Sequence, residues 1–102
     1  MQKYRVAFRQ VYYQDLETAL EYYGNITESL DDDFEKDVDA AIDSLGTFCS
    51  YEVKIYGLRN FNLRQFQYTL HFFVNDHRNL VEIVALLRGH AEFPVERLKG
   101  NI

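Results

Sequence analysis

Five basic side chains in the second half of the chain are of the types that stabilise charge on a phosphate or grip an anionic partner: Arg59, Arg64, His71, Arg88 and His90. Phosphodiester cleavage needs positive groups aimed at the developing dianion and an acid or base held within reach. Arg59 and Arg64 are five residues apart in "GLRNFNLRQFQYTLHFFVND", Gly57 to Asp76. On an unbroken strand they point to opposite faces, so only a bulge or twist brings both to one ligand. The plainer reading makes them edge charges that discourage strand pairing between molecules. Arg88 follows an apolar run and precedes Gly89 and His90, so its backbone is anchored while its side chain can leave the core. His71 alternates with Gln67 and Thr69 and reads as a surface or satisfied residue, while His77 beside Asp76 belongs to a turn.

Two further groups invite chemistry. Asp31, Asp32 and Asp33 form an acidic triplet, but consecutive carboxylates diverge, and acids at a helix start are favoured by the dipole. No metal or other cofactor is assigned to them. Tyr12, Tyr13, Tyr22 and Tyr23 are more tyrosines than one helix can bury. Tyrosine suits interfaces because it buries area while its hydroxyl stays bonded, so Tyr12, Tyr13 and Tyr22 are a candidate surface for a partner or for a second copy in a homodimer.

Periodicity supplies the elements that must position these groups. "KYRVAFRQ" alternates Tyr4, Val6 and Phe8 against Arg5, Ala7 and Arg9, the pattern of a half-buried strand. "DLETALEYYGNITESL" sets Leu16, Ala19, Leu20, Tyr23 and Leu30 at helical spacing, with Asp15 as its expected N-cap and Gly24 marking a bend or early end. The triplet opens a second helix whose Phe34, Val38, Ala41, Ile42, Leu45 and Phe48 share a face. From Tyr51 the period changes to two. Tyr51, Val53 and Ile55 lead to a bulge or a bend at Gly57, and Phe66, Tyr68, Leu70, Phe72 and Val74 then line one face. "NDHRN" is a turn, and "LVEIVALL", apolar on both faces apart from Glu82, is a central strand. The order is strand, helical hairpin, then three strands: an α+β domain over residues 1–102, with a mostly antiparallel sheet and both helices packed on one face.

Composition bounds the function. At 102 residues with 47% hydrophobic and 16% aromatic side chains, the chain folds as one domain around its own core. The single cysteine, Cys49, has no internal partner, which fits a reducing compartment and a packing role. No basic-then-apolar leader opens the chain and no apolar run approaches a membrane span, so the expected location is the cytoplasm, and the glycosylation-like "NIT" at Asn25 reads as chance. The net charge of −5 is uneven. Residues 1–50 hold four Lys/Arg against eleven Asp/Glu, and residues 51–102 hold seven against five. Nucleic-acid binding depends on clustered cations, so any phosphate-facing role belongs to the second half.

The element order and the local text resemble the RelE/ParE superfamily of bacterial toxins over about ninety residues. "YRVAF" is similar to its first strand, "DLETALEYY" and "FEKDVDAAIDSL" to its two helices, and "LLRGHAEFP" to its C-terminal strand exit. "YEVKIYGLRNFNLRQFQYTLHFFV" resembles the ParE-type run, with Phe66-Gln67-Tyr68 where the family has F-P-Y and the proline missing. The resemblance implies a toxin of a type II toxin–antitoxin pair, of the plasmid-stabilisation kind, neutralised by a small cognate antitoxin and needing no cofactor. RelE-type members cleave mRNA on the ribosome with an arginine in the third strand, whereas ParE-type members block DNA gyrase. "QYTLHFFVN" holds no arginine; Thr69 or a neighbour stands in its place. That favours a ParE-type protein that binds its target through Arg59, Arg64, Arg88 and His90. An mRNA endonuclease built on Arg64, Arg88, His90 and His71 is the alternative, and a non-toxic binding domain derived from the family is the second.

Overall fold

The computed structural model describes residues 3–89 and 93–99. Strand β1 (Arg5–Phe8) leads into helices α1 (Gln10–Ile26) and α2 (Leu30–Thr47). Strands β2 (Arg59–Asn62), β3 (Tyr68–Asn75) and β4 (Leu80–Arg88) follow, and a four-residue helix, α3 (Glu96–Lys99), closes the described chain. The sheet order is β1-β4-β3-β2. β2–β3 and β3–β4 are antiparallel, and β1 lies parallel to β4 from Arg5↔Leu80 to Phe8↔Ile83. A parallel pair needs a long crossover, which the helical hairpin begins. The α+β architecture expected from periodicity is the one observed, with β3 and β4 central.

Helix α1 starts well before Asp15. Arg9 is its cap, in extended conformation, and its amide still bonds the Ile83 carbonyl of β4 at 3.0 Å. The buried stripe begins at Tyr12 and continues through Leu16, Ala19 and Tyr23 at spacings of four and three. Asp15 therefore lies inside the helix beside that stripe, and the expected N-cap role is corrected. The helix ends at Ile26, two residues beyond Gly24 and short of Leu30, which opens α2 instead. A Cβ at Gly24 would meet the Asp31 side chain at 3.4 Å, so its bareness suits the close approach of α2. The acidic triplet fills the first turn of α2. Phe34, Val38, Ala41 and Leu45 are buried as expected, but Phe48 lies past the helix end and is exposed.

The expected strand at Tyr51–Ile55 is absent. Only one bridge, Val53↔Arg59, forms there. Tyr56 at φ 60° and Gly57 at φ 79° then reverse the chain, with the Leu58 amide bonding the Ile55 carbonyl at 3.0 Å. Two successive left-handed residues are the signature of a tight hairpin turn, and the arm before it pairs back only through the Val53↔Arg59 bridge and the Lys54 amide on the Leu58 carbonyl at 2.6 Å. Tyr51 does pack inward on Phe61 and Phe72, while Val53 and Ile55 stay exposed.

The sheet has a core on each face. Toward the helices lie Phe34, Val38, Leu45, Leu70, Phe72 and Ile83. On the outer face, Leu58, Val84, Ala85 and Phe93 form a second cluster, flanked by Phe73, Leu87 and Leu98. A bulge between His71 and Phe72 puts their partners at Ala85 and Ile83, leaving Val84 as the extra residue. It turns Val84 and Ala85 both outward and returns Leu86 to the helix side. That is why β4 reads as apolar on both faces.

β1 pairs with β4 only as far as Ile83. Beyond that point the Leu86 amide donates to Asp15 Oδ2 at 3.0 Å, and Arg97 of α3 holds the same carboxylate through both terminal nitrogens, at 2.5 and 2.7 Å. Truncating one member of a largely buried pair strands the other's charge or amide. Asp15→Ala is expected to cost about 3 kcal/mol in urea unfolding. Arg97→Ala should cost a comparable amount, because it leaves the buried Asp15 carboxylate without its counter-charge; a penalty under half as large would mean that the Leu86 amide alone satisfies Asp15. Gly24→Ala should instead raise stability by about 0.5–1 kcal/mol, since the exposed part of Asp31 has room to turn aside; a loss would place that contact above helix propensity.

Candidate target-binding surface

The end of the sheet where β2 and β4 finish and β3 begins gathers two of the predicted cations. Asn62 pairs with Thr69 and Tyr68 with Arg88, and the Gly89 amide bonds the Gln67 carbonyl at 2.8 Å. The connection from Leu63 to Gln67 is fixed to α2 by Asp37, whose Oδ2 accepts from the amides of Gln65 (2.9 Å) and Phe66 (3.3 Å). Asp37 is buried. It was not singled out from the sequence, where its signal was a lone acid inside the apolar stripe of α2.

Arg64 is exposed in this connection rather than on β2, which ends at Asn62. The expectation that Arg59 and Arg64 oppose each other across one strand therefore falls away. Arg64 borders a cleft of about 290 Å³ lined by Asp37, Ala40, Ala41, Ser44 and Phe61. It makes no hydrogen bond or ion pair with another described residue, so its charge is available to an incoming group.

Arg88 closes β4 on the helix side. Its guanidinium carbon stands 5.2 Å from the centroid of the Tyr22 ring. A hydrogen bond to Tyr22 raises its pKa above the usual arginine value. Tyr22 meets Tyr23 edge-on at 5.1 Å, and Tyr23 packs in turn on Phe34, Phe66 and Tyr68. Burial is the main cause that pushes the Tyr68 hydroxyl upward, with Arg88 opposing it. The result is an exposed cation seated on an aromatic platform, with Gln67 exposed on the neighbouring strand start.

The other candidates lie elsewhere. Arg59 is half-buried, and its Nη1 donates to the Cys49 carbonyl at 3.1 Å, tying β2 to the chain that leaves α2. His71 is buried on the outer face, its ring 5.3 Å from that of Phe93; the expected surface position is corrected, because the strand face it shares with Thr69 is covered. Burial first, then Arg97, lowers its pKa, while Asp15 works the other way. His90 lies outside the described residues. Among the described residues the suggested nuclease set is thus divided, with Arg88 on the helix side and His71 beneath Phe93.

The tyrosine surface divides as well. Tyr12 is 3% exposed and packs on Phe8 and Tyr13, so it is core rather than partner surface. Its hydroxyl is pushed well above the ordinary range, mainly by burial. Tyr13 and Tyr22 are exposed. At about 100° per residue they flank the buried stripe of α1 on opposite sides. Tyr22 joins Arg88, whereas Tyr13 borders a separate cleft with Leu16, Leu20, Glu17, Glu21 and Asp31. No group of three or more metal-ligating side chains converges among the described residues, and no helix there is long and apolar enough to cross a membrane.

Neither a family model nor a curated protein matches the chain. Solved structures do. The ParDE toxin–antitoxin system of P. aeruginosa contains a chain that superposes with a TM-score of 0.73 at 13% identity, over 84% of this chain and 96% of that one. The toxin–antitoxin complex RelBE2 of Mycobacterium tuberculosis gives a TM-score of 0.55 at 18% identity, over 87% and 95%. At these identities the likeness is one of architecture. The helical hairpin on a four-stranded sheet with a parallel first strand gives this chain a RelE/ParE-like fold.

Proposed function

We propose that this protein is the toxin of a type II toxin–antitoxin pair, acting in the cytoplasm by binding a protein target, DNA gyrase, and held inactive by a cognate antitoxin. The observation that carries the binding reading is the division of the basic groups. Acid–base cleavage of RNA needs its acid, base and charge-stabilising groups within hydrogen-bond reach of one phosphate. Arg88 sits over Tyr22 on the helix side, and His71 is covered by Phe93 on the outer face. A binding surface needs no such convergence. Arg64 and Arg88 at one end of the sheet, with Tyr22 and Gln67, offer separate charged and aromatic anchors of the kind that dominate interfaces. The RelE/ParE-like fold, shared with chains of solved toxin–antitoxin systems, supports the toxin part of this reading.

Expression without a partner should stop growth and induce a DNA-damage response while bulk mRNA stays intact. Rapid ribosome-dependent cleavage of mRNA would replace this reading with the endonuclease, and unimpaired growth would leave a binding domain without toxicity. Replacing Arg64 and Arg88 together with Ala should abolish the growth arrest while shifting the thermal midpoint by no more than about 3 °C, since exposed side chains contribute little to folding. Full toxicity in the double variant would place the target surface elsewhere.

A further inference from the structure

The segment from Phe93 to Lys99 lies across the outer face of the sheet and has little structure of its own. Its helix is four residues long, far too short to persist without tertiary support. Three ties hold it among the described residues. Phe93 is 8% exposed and rests on His71 and, at 6.5 Å, on Tyr56. Leu98 packs against the cluster of Leu58, Val84 and Ala85. Arg97 grips Asp15. One of these three ties has an ionisable ring as its seat. His71 is buried and has no hydrogen-bond partner among the described residues.

We propose that His71 is a pH-sensitive latch for this strap: while its imidazole is neutral, Phe93 stays seated and the outer face is covered, and on protonation the strap is released. The charged groups that face the ring are Arg97 from α3 and Asp15 from α1. An imidazolium there would be removed from water, which is costly for a charge without a partner, and would stand beside the Arg97 guanidinium. Asp15 attracts it, but that carboxylate is already engaged by Arg97 and by the Leu86 amide.

The sign follows from linkage. In the released state the histidine is hydrated and titrates near its ordinary value of about 6.5. In the closed state its pKa is lower, by burial first and Arg97 second. The released state therefore takes up the proton more readily. Closure has its full stability above about pH 6.5, weakens as the pH falls below that value, and levels off beneath the closed-state pKa. Each unit of separation raises the released-to-closed ratio about tenfold.

The test uses the uniformly ¹⁵N-labelled full chain at pH 7.5 and pH 5.0, with the amides of α1 and α2 reporting that the fold persists. Heteronuclear NOE values for residues 93–99 should match the sheet at pH 7.5 and fall to those of a mobile segment at pH 5.0. The His71 ring, followed in the same samples, should titrate below 6.5. His71→Phe, which keeps an apolar seat without a proton site, should hold the strap at both pH values. An unchanged NOE at pH 5.0 would overturn the proposal, as would a His71 titration at or above 6.5. Release of the strap in His71→Phe at pH 5.0 to the same extent would also overturn it. Growth arrest is not part of the readout, so failure here leaves the toxin reading untouched.

Discussion

The structure depends on what happens where β1 runs out. β4 has a strand neighbour on that side only up to Ile83, and an unpaired amide beside a packed helix is expensive unless something accepts from it. Asp15 does so for Leu86, and the charge it brings inside is balanced by Arg97. A single carboxylate thus joins the long helix, the central strand and the C-terminal helix. It fixes how α1 lies on the sheet and leads the chain around to the outer face. The dependence runs in sequence from residue 15 to residue 97, which makes it a long-range closure rather than a local cap.

The bulge at Val84 is the second constraint, because it decides which side each residue of β4 serves. A strand with strict alternation would put all its odd or even positions on one face. The extra residue turns Val84 and Ala85 outward, where they form the floor for Phe93, and brings Leu86 and Arg88 to the helix side. One inserted residue therefore builds the outer core and seats the exposed arginine on Tyr22. The partition of basic groups between faces follows from this register shift, with His71 at its edge on β3.

Much of this was legible where a pattern is local. The stripe of α2, the alternation of β3 and the two-sided apolar run of β4 mark their elements through period alone. What escaped was set by distant partners. Asp15 before a periodic run looks like a cap, and only the Leu86 amide and Arg97 reveal it as an internal anchor. Tyr51, Val53 and Ile55 alternate like a strand, but beyond the tight turn at Tyr56 and Gly57 only Val53 is bridged back, to Arg59. Tyr12 and Tyr13 are neighbours in sequence, yet a rotation of about 100° separates a core ring from an exposed one. Arg64 and Arg88 were visible as residue types and positions, whereas Asp37, which holds the Arg64 connection in place, needed the fold.

The uneven charge now has a place in the structure. The acidic first half forms the helical hairpin, whose exposed faces carry Glu17, Glu21, Asp32, Asp33 and Glu35. Among the cations of the second half, Arg97 pairs with Asp15 and Arg59 bonds a carbonyl. Arg64 and Arg88 differ from these in standing exposed at one end of the sheet, beside an otherwise acidic body. An acidic protein is poorly steered toward nucleic acid over long range, but a local cationic end still suits docking on a protein surface whose acidic and apolar groups match it. The same division that weakens a nuclease is therefore compatible with the proposed protein-binding role, because anchors spaced over an interface need not converge on one atom.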